Sequence, residues 1–176
     1  KMKIFKMLKL PDYFSLFNVT SGMMSIYSST RGNYLFSAIY LLFAVLFDFL
    51  DGKVARLTKK SSKLGFDIDS LADVISFGVA PAVMIITMFD HWLALISGFL
   101  IVICGLLRLA RFNVTKLIDG SVYEGMPITF NGFNFALIYF ISQFVSYGSN
   151  ELYIYTGIAI ISAYLMISTH RIKKII

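Results

Sequence analysis

The stretch Asp48–Asp73 reads DFLDGKVARLTKKSSKLGFDIDSLAD, and the other residues must be arranged around it. Five of the chain's 10 acidic residues lie here: Asp48, Asp51, Asp67, Asp69 and Asp73. Uncharged apolar runs flank it, Gly32 to Phe47 before and Val74 to Phe89 after. Each run has 16 residues. As a helix that is about 24 Å, whereas a bilayer core is about 30 Å thick. Neither run spans unless it takes in its acidic end. Asp48 and Asp73 are therefore expected at membrane depth near one face, where a carboxylate is costly and marks a functional site with a partner.

The spacing sharpens this expectation. Asp48 and Asp51 stand at i, i+3, and Asp69 and Asp73 at i, i+4, so on helices each pair shares one face. Two such helices, joined by the loop around Lys59 to Lys63, would bring four carboxylates together. Such a group in a low-dielectric pocket needs bound cations or bound protons. Oxygen-only donors suit hard ions such as Mg²⁺, Mn²⁺ or Ca²⁺, and the stretch holds no Cys or His to favour zinc. Gly52 and Ala55 leave one helix face bare for a bulky ligand, and Arg56 offers a planar fork suited to phosphate. Carboxylates, a divalent metal, a bare helix face and an arginine together suggest phosphoryl chemistry.

Composition bounds the rest. The chain has 176 residues, 57% hydrophobic and 15% charged, which indicates an all-α integral membrane protein forming a single domain over residues 1–176. The single cysteine, Cys104, lies in an apolar run and can form no internal disulfide. The net charge of +6 fits anionic lipid and nucleotide better than nucleic acid. Six transmembrane helices are expected, over residues 13–29, 34–56, 65–89, 92–112, 127–147 and 152–169. An N-terminal interfacial amphipathic helix over residues 1–12, with Lys1, Lys3, Lys6 and Lys9, precedes them. The first span is rich in hydroxyls and amides, which face protein or a cavity in a membrane helix. Pro81 is expected to kink the third. Of the 16 basic residues, 15 then fall on one side, with only Arg31 opposite. The positive-inside rule makes that side, with both termini and the acid cluster, cytoplasmic, and the expected location is the plasma membrane.

The pattern Asp48-x-x-Asp51-Gly52-x-x-Ala55-Arg56, eight residues, Gly65-x-x-x-Asp69-x-x-x-Asp73 resembles the complete signature of the CDP-alcohol phosphatidyltransferases, matching all eight fixed positions. The resemblance implies a homodimer that attacks a CDP-linked lipid with an alcohol and releases CMP. It implies two divalent ions, Mg²⁺ or Mn²⁺, bridging the pyrophosphate. Asp48, Asp51 and Asp69 are then chiefly ligands, and Asp73 is both ligand and general base. Gly52, Ala55 and Arg56 match family positions near the nucleotide, and Ser62 falls where the family often has a hydroxyl. Ser15 and Asn18, on the polar face of the first span, would complete the cytidine pocket.

The runs Phe66–Ala82 (FDIDSLADVISFGVAPA) and Arg108–Asn113 (RLARFN) resemble the serine-accepting branch of that family. The acceptor would be L-serine, whose carboxylate needs a cation, and Arg108 and Arg111 are the candidates. Their other reading is snorkelling at the cytoplasmic boundary. Other acceptors, glycerol phosphate or inositol phosphate, would need a stronger cationic patch than the loop lysines supply. A divalent-cation transporter would also carry acids within spans, but it leaves Gly52, Ala55 and Arg56 unexplained. A structural membrane protein leaves the acid pairs unexplained.

Overall fold

The computed structural model describes residues 7–58, 62–118, 123–145, 147–168 and 171–172. Helix α1 (Leu10–Thr30) opens with Pro11 in its first turn, where no backbone N–H is needed. Pro11 thus lies at the start of the helix expected to begin at residue 13, not within the interfacial helix expected over residues 1–12. The Asp12 carboxylate accepts the Lys9 N–H at 2.7 Å and satisfies one of the free donors at this end. The expected interfacial helix falls mostly outside the described residues, and residues 7–9 are not helical. The turn after α1 uses Gly32 at φ +73°, a conformation that costs glycine little.

The buried face of α1 is polar. Asp12, Ser15, Asn18, Ser21, Ser25, Ser28 and Ser29 point inward, while Phe17, Met23, Met24 and Tyr27 are exposed. This inverts the pattern of a soluble helix and matches a membrane helix that seals its polar groups against neighbours. The neighbour is chiefly α2 (Tyr34–Thr58). Ser37 on α2 shares hydrogen bonds with Ser25 and Ser29, both at 2.8 Å.

The third expected span is a continuous rod made of α3 (Lys63–Asp73), a π-helical segment (Val74–Val79) and α4 (Ala80–Phe89). Ser62 caps it, accepting the Gly65 N–H at 2.9 Å. Just upstream of Pro81, where a kink is expected, the Ala80 N–H reaches back five residues to the Ile75 carbonyl, the mark of a π-turn. Asp90 at φ 41° and His91 make the turn to α5 (Trp92–Ile118), with the His91 Nδ1 accepting the Leu93 N–H at 3.1 Å. Helix α6 (Thr129–Ser142) and α7 (Glu151–Ile167) follow. The short strands β1 (Tyr123–Glu124) and β2 (Arg171–Ile172) pair antiparallel, and no other strand occurs among the described residues.

Four helical rods are long and apolar enough to cross a membrane: Tyr34–Thr58, Lys63–Phe89, Trp92–Thr115 and Gly148–Ile167. The other two expected spans fall short for different reasons. Helix α1 has the length, at 21 residues, but its hydroxyls lower its hydropathy. Helix α6 has only 14 residues, about 21 Å. The core sits where α2, the third rod, α5, α6 and α7 meet, around Leu41, Phe77, Met84, Ile101, Phe135 and Tyr155.

Two glycines let the π segment be approached closely by two other helices. A Cβ on Gly22 of α1 would lie 2.7 Å from the Ser76 Cα, and one on Gly132 of α6 would lie 2.6 Å from the Phe77 ring. Gly157 on α7 has nothing within 4 Å of such a Cβ. Gly22→Ala and Gly132→Ala should each destabilise the protein by about 1–3 kcal/mol through overpacking. Gly157→Ala should leave it unchanged or slightly more stable. Thermal unfolding in detergent micelles checks all three, and equal effects at the three positions would contradict the packing described.

Candidate active site

Helix α2 delivers Asp48 and Asp51 from consecutive turns, and α3 delivers Asp69 and Asp73 in the same way. One oxygen each from Asp48, Asp51 and Asp69 lies within 4.8 Å of the others. The four carboxylates face one another as two pairs, Asp48 with Asp73 and Asp51 with Asp69, each within hydrogen-bonding reach. The helical spacing of the sequence thus brings all four together. Three of them converge on one point, and Asp73, 7% exposed, stands beside Asp48.

Polar donors from α1 and α6 hold these groups in place. The Ser15 Oγ donates to Asp51 at 2.5 Å, and the Asn18 Nδ2 donates to Asp73 at 3.2 Å. The Thr129 Oγ1, in the first turn of α6, donates to Asp48 at 3.1 Å. Ser76, in the π segment, donates to the Asn18 carbonyl at 3.0 Å and so fixes the residue that holds Asp73. Three like charges this close repel unless cations or protons join them. All the donor atoms are carboxylate oxygens, the set that hard divalent cations prefer. The residues present therefore fit a bound divalent cation.

Asp51 and Asp69 also line a cleft between α1, α2 and α3. Gly52 and Ala55 form its α2 wall, Ser15 and Asp12 its α1 wall, and Ser62, Gly65 and Phe66 its α3 wall. A Cβ on Gly65 would run into the Asp12 carboxylate, so only glycine lets α3 approach α1 here. The cleft unites six of the residues singled out in the sequence: Ser15, Asp51, Gly52, Ala55, Ser62 and Asp69. Arg56 is exposed outside this wall, its Nε donating to the Gly52 carbonyl of its own helix at 3.0 Å.

The run Arg108–Asn113 ties the end of α5 to its surroundings. Arg108 is 7% exposed, lies over the Phe112 ring at 5.2 Å and is within electrostatic reach of Asp48. Phe112 in turn packs on Phe66 of the cleft, with ring centroids 6.4 Å apart. The Asn113 Nδ2 donates to the Ser70 Oγ at 3.3 Å, next to Asp69. Arg111 turns away from the acids, its guanidinium donating to the carbonyls of Met166, Ile167 and Ser168 at 3.1–3.2 Å, the open end of α7. The two arginines thus have different surroundings.

Sequence reasoning missed Thr129 and the cleft-facing role of Asp12. No motif marks Thr129, which reaches Asp48 across 81 positions of sequence. Asp12 is legible only as a helix-start residue, because its contact with Gly65 is made by tertiary packing. The acid cluster yields a direct expectation. Mg²⁺, Mn²⁺ or Ca²⁺ should raise the melting temperature, because a ligand at 100 times its Kd stabilises by about 2.7 kcal/mol. Asp51→Asn should remove most of the rise. A thermal-shift titration in micelles reads this, and an equal rise in wild type and variant would rule out cation binding at this cluster.

Residues 8–169 match the model of the family described as CDP-alcohol phosphatidyltransferase. The chain is similar to an archaetidylserine synthase of Methanothermobacter thermautotrophicus, 46% identical over 130 residues, covering 72% of this chain and 55% of that protein. It is 37% identical over 169 residues to a CDP-diacylglycerol–serine O-phosphatidyltransferase of Methanocaldococcus jannaschii, covering 96% of this chain and 76% of the relative. A protein of the same description from Saccharomyces cerevisiae is 44% identical over 141 residues, covering 69% of this chain and 50% of its own length. The chain thus spans about half the length of the first and third relatives and about three quarters of the second. With a family model matching most of its length and the acid cluster assembled, the chain belongs to the CDP-alcohol phosphatidyltransferase family.

Proposed function

We propose that this protein transfers the phosphatidyl group of a CDP-linked lipid, ester or ether, to the hydroxyl of L-serine, releasing CMP. The observation that carries the reading is the convergence of Asp48, Asp51 and Asp69 beside a cleft lined by Gly52 and Ala55. Family membership and the serine-specific descriptions of the relatives support the choice of reaction and acceptor.

Asp48, Asp51 and Asp69 would hold divalent cations, two Mg²⁺ or Mn²⁺, with Asp73 contributing as a further ligand. When bound, such cations neutralise charge on a pyrophosphate and stabilise an in-line displacement. Gly52 and Ala55 leave room for the nucleotide, with Ser15, Asn18 and Ser62 as the polar groups around it. Arg56 would swing from the Gly52 carbonyl to a phosphate of the incoming lipid. Asp73 takes the proton from the serine hydroxyl as the new O–P bond forms and the bond to CMP breaks. Its hydrogen bond from Asn18 fixes one carboxylate oxygen and leaves the other to the acceptor.

In this reading the chain is one membrane domain with six spans behind an interfacial helix, α1 and the short α6 crossing as part of the bundle. The site and both termini face the cytoplasm across the plasma membrane, and the enzyme is a homodimer. The decisive experiment is a transfer assay with a CDP-linked lipid and a panel of labelled alcohols. Serine should be the acceptor, activity should vanish with chelator, and Mg²⁺ or Mn²⁺ should restore it. Full activity in excess chelator would sink the metal-assisted mechanism. Asp73→Asn should lower kcat about 10²- to 10⁴-fold, the contribution of general-base catalysis, while CDP-linked lipid still binds with divalent metal. Asp48→Asn should lose both. Turnover within a few-fold of wild type in Asp73→Asn would exclude it as the base.

The two arginines of the α5 terminus separate cleanly under this proposal. Arg108, buried within reach of Asp48, is the cation for the serine carboxylate. Arg108→Ala should raise the KM for serine about 10- to 150-fold, the worth of one charged hydrogen bond, with little change in the KM for the lipid. Arg111→Ala should instead lower the melting temperature, because its donors serve the end of α7, and should leave the serine KM within about three-fold. Steady-state kinetics with both substrates varied, alongside thermal unfolding, tests the pair. The reverse pattern would exchange their roles.

A further inference from the structure

Pro81 removes one α-helical donor from the rod that follows Asp73. In an α-helical pattern the Phe77 carbonyl would receive the N–H of residue 81, but Pro81 has none. A buried carbonyl in a membrane helix is costly without a donor. The donor comes from another helix: the Asn131 Nδ2 of α6 lies 3.2 Å from the Phe77 carbonyl oxygen. Asn131 is completely buried, and its Oδ1 has no hydrogen-bond partner. A buried amide with one idle end is an expensive way to fill a core, so its worth lies in the end that is used.

The position of this contact matters. Asn131 lies two residues past Thr129, whose hydroxyl donates to Asp48. Phe77 lies one turn past Asp73 on the same continuous rod. From α1, Asn18 donates to Asp73 and accepts from Ser76, and Gly22 packs against Ser76. The first turn of α6 thus grips both sides of the Asp48–Asp73 pair, one carboxylate directly and the other through the backbone that carries it.

We propose that Asn131 is a positioning residue for Asp73: by capping the Phe77 carbonyl that Pro81 leaves open, it sets the π-turn that aims the Asp73 carboxylate at the acceptor. The inference rests on the function proposed above, with Asp73 as base. It predicts energetic coupling between two residues that are not substrate contacts, Asn131 and Pro81. An alanine at position 81 restores the backbone N–H and makes the asparagine dispensable.

The test is a double-mutant cycle on the full chain in micelles, read by transfer kinetics, thermal unfolding and the Mn²⁺-induced thermal shift. Asn131→Ala should lower kcat at least 10-fold with the KM for CDP-linked lipid within about three-fold. Pro81→Ala should keep kcat within about three-fold of wild type. The combined variant should match Pro81→Ala within about three-fold, because the Phe77 carbonyl is again satisfied. An equal kcat loss from Asn131→Ala in both backgrounds would overturn the proposal, as would a lowered melting temperature with unchanged kcat. If Asn131→Ala alone fails to fold, the combined variant compared with Pro81→Ala decides by the same criterion. If the wild-type chain transfers nothing, the proposed function falls and the positioning role with it. The Mn²⁺ shift should persist in Asn131→Ala, because Asp48, Asp51 and Asp69 are kept, and its loss there would overturn a role specific to Asp73.

Discussion

Carboxylates held among apolar helices need donors, and the arrangement of this protein follows from supplying them. Asp51 and Asp73 are almost fully buried on rods long and apolar enough to cross a membrane. Their partners, Ser15 and Asn18, come from the same helix, whose inward stripe is built of hydroxyls and an amide. Helix α1 is therefore too polar overall to count among the membrane-length apolar rods, yet it exposes Phe17, Met23, Met24 and Tyr27 on its outer face. Its sequence is shaped by the acids it serves.

The acids also need to be close, and closeness here is made by missing side chains. Gly65 lets α3 lie against Asp12, Gly22 lets α1 lie against Ser76, and Gly132 lets α6 lie against Phe77. Small residues drive helix association in membranes because they admit near contact between backbones. In this protein the same device brings Asp69 and Asp73 within reach of Asp48 and Asp51. The π segment belongs to the same scheme. By winding one stretch of the rod more widely, it changes which face the residues after Asp73 present, so that Ser76 meets α1 while Phe77 meets α6.

The run RLARFN shows how one short stretch can carry several unlike functions. Arg108 is buried beside the acid cluster, Arg111 closes the end of α7, Phe112 braces both Arg108 and Phe66, and Asn113 holds the turn that carries Asp69. Two arginines three residues apart looked equivalent in the sequence, as serine ligands or as snorkelling side chains. Their surroundings separate them, because the carbonyls that claim Arg111 belong to residues more than 50 positions away.

The sequence by itself determined the membrane character, the helical class and the acid quartet. Long apolar runs marked the rods that are long enough to cross a membrane, and i, i+3 and i, i+4 spacing put each acid pair on one face. Both are local properties of a chain that coils at a known pitch, so they survive into the structure unchanged. The third rod was legible for the same reason, and so was the donor missing from it at Pro81, since a proline removes a donor wherever it sits. Tertiary structure alone decided what the acids touch. Thr129, Asp12, Ser76 and Asn131 carry no local mark, because a threonine at a helix start or an asparagine within a helix reads alike whether it faces lipid, core or carboxylate. It also decided that Arg111 serves α7 and that Asn131 answers Pro81. Each of these pairings joins residues tens of positions apart, and only the packing of one helix on another fixes which side chain meets which unsatisfied group.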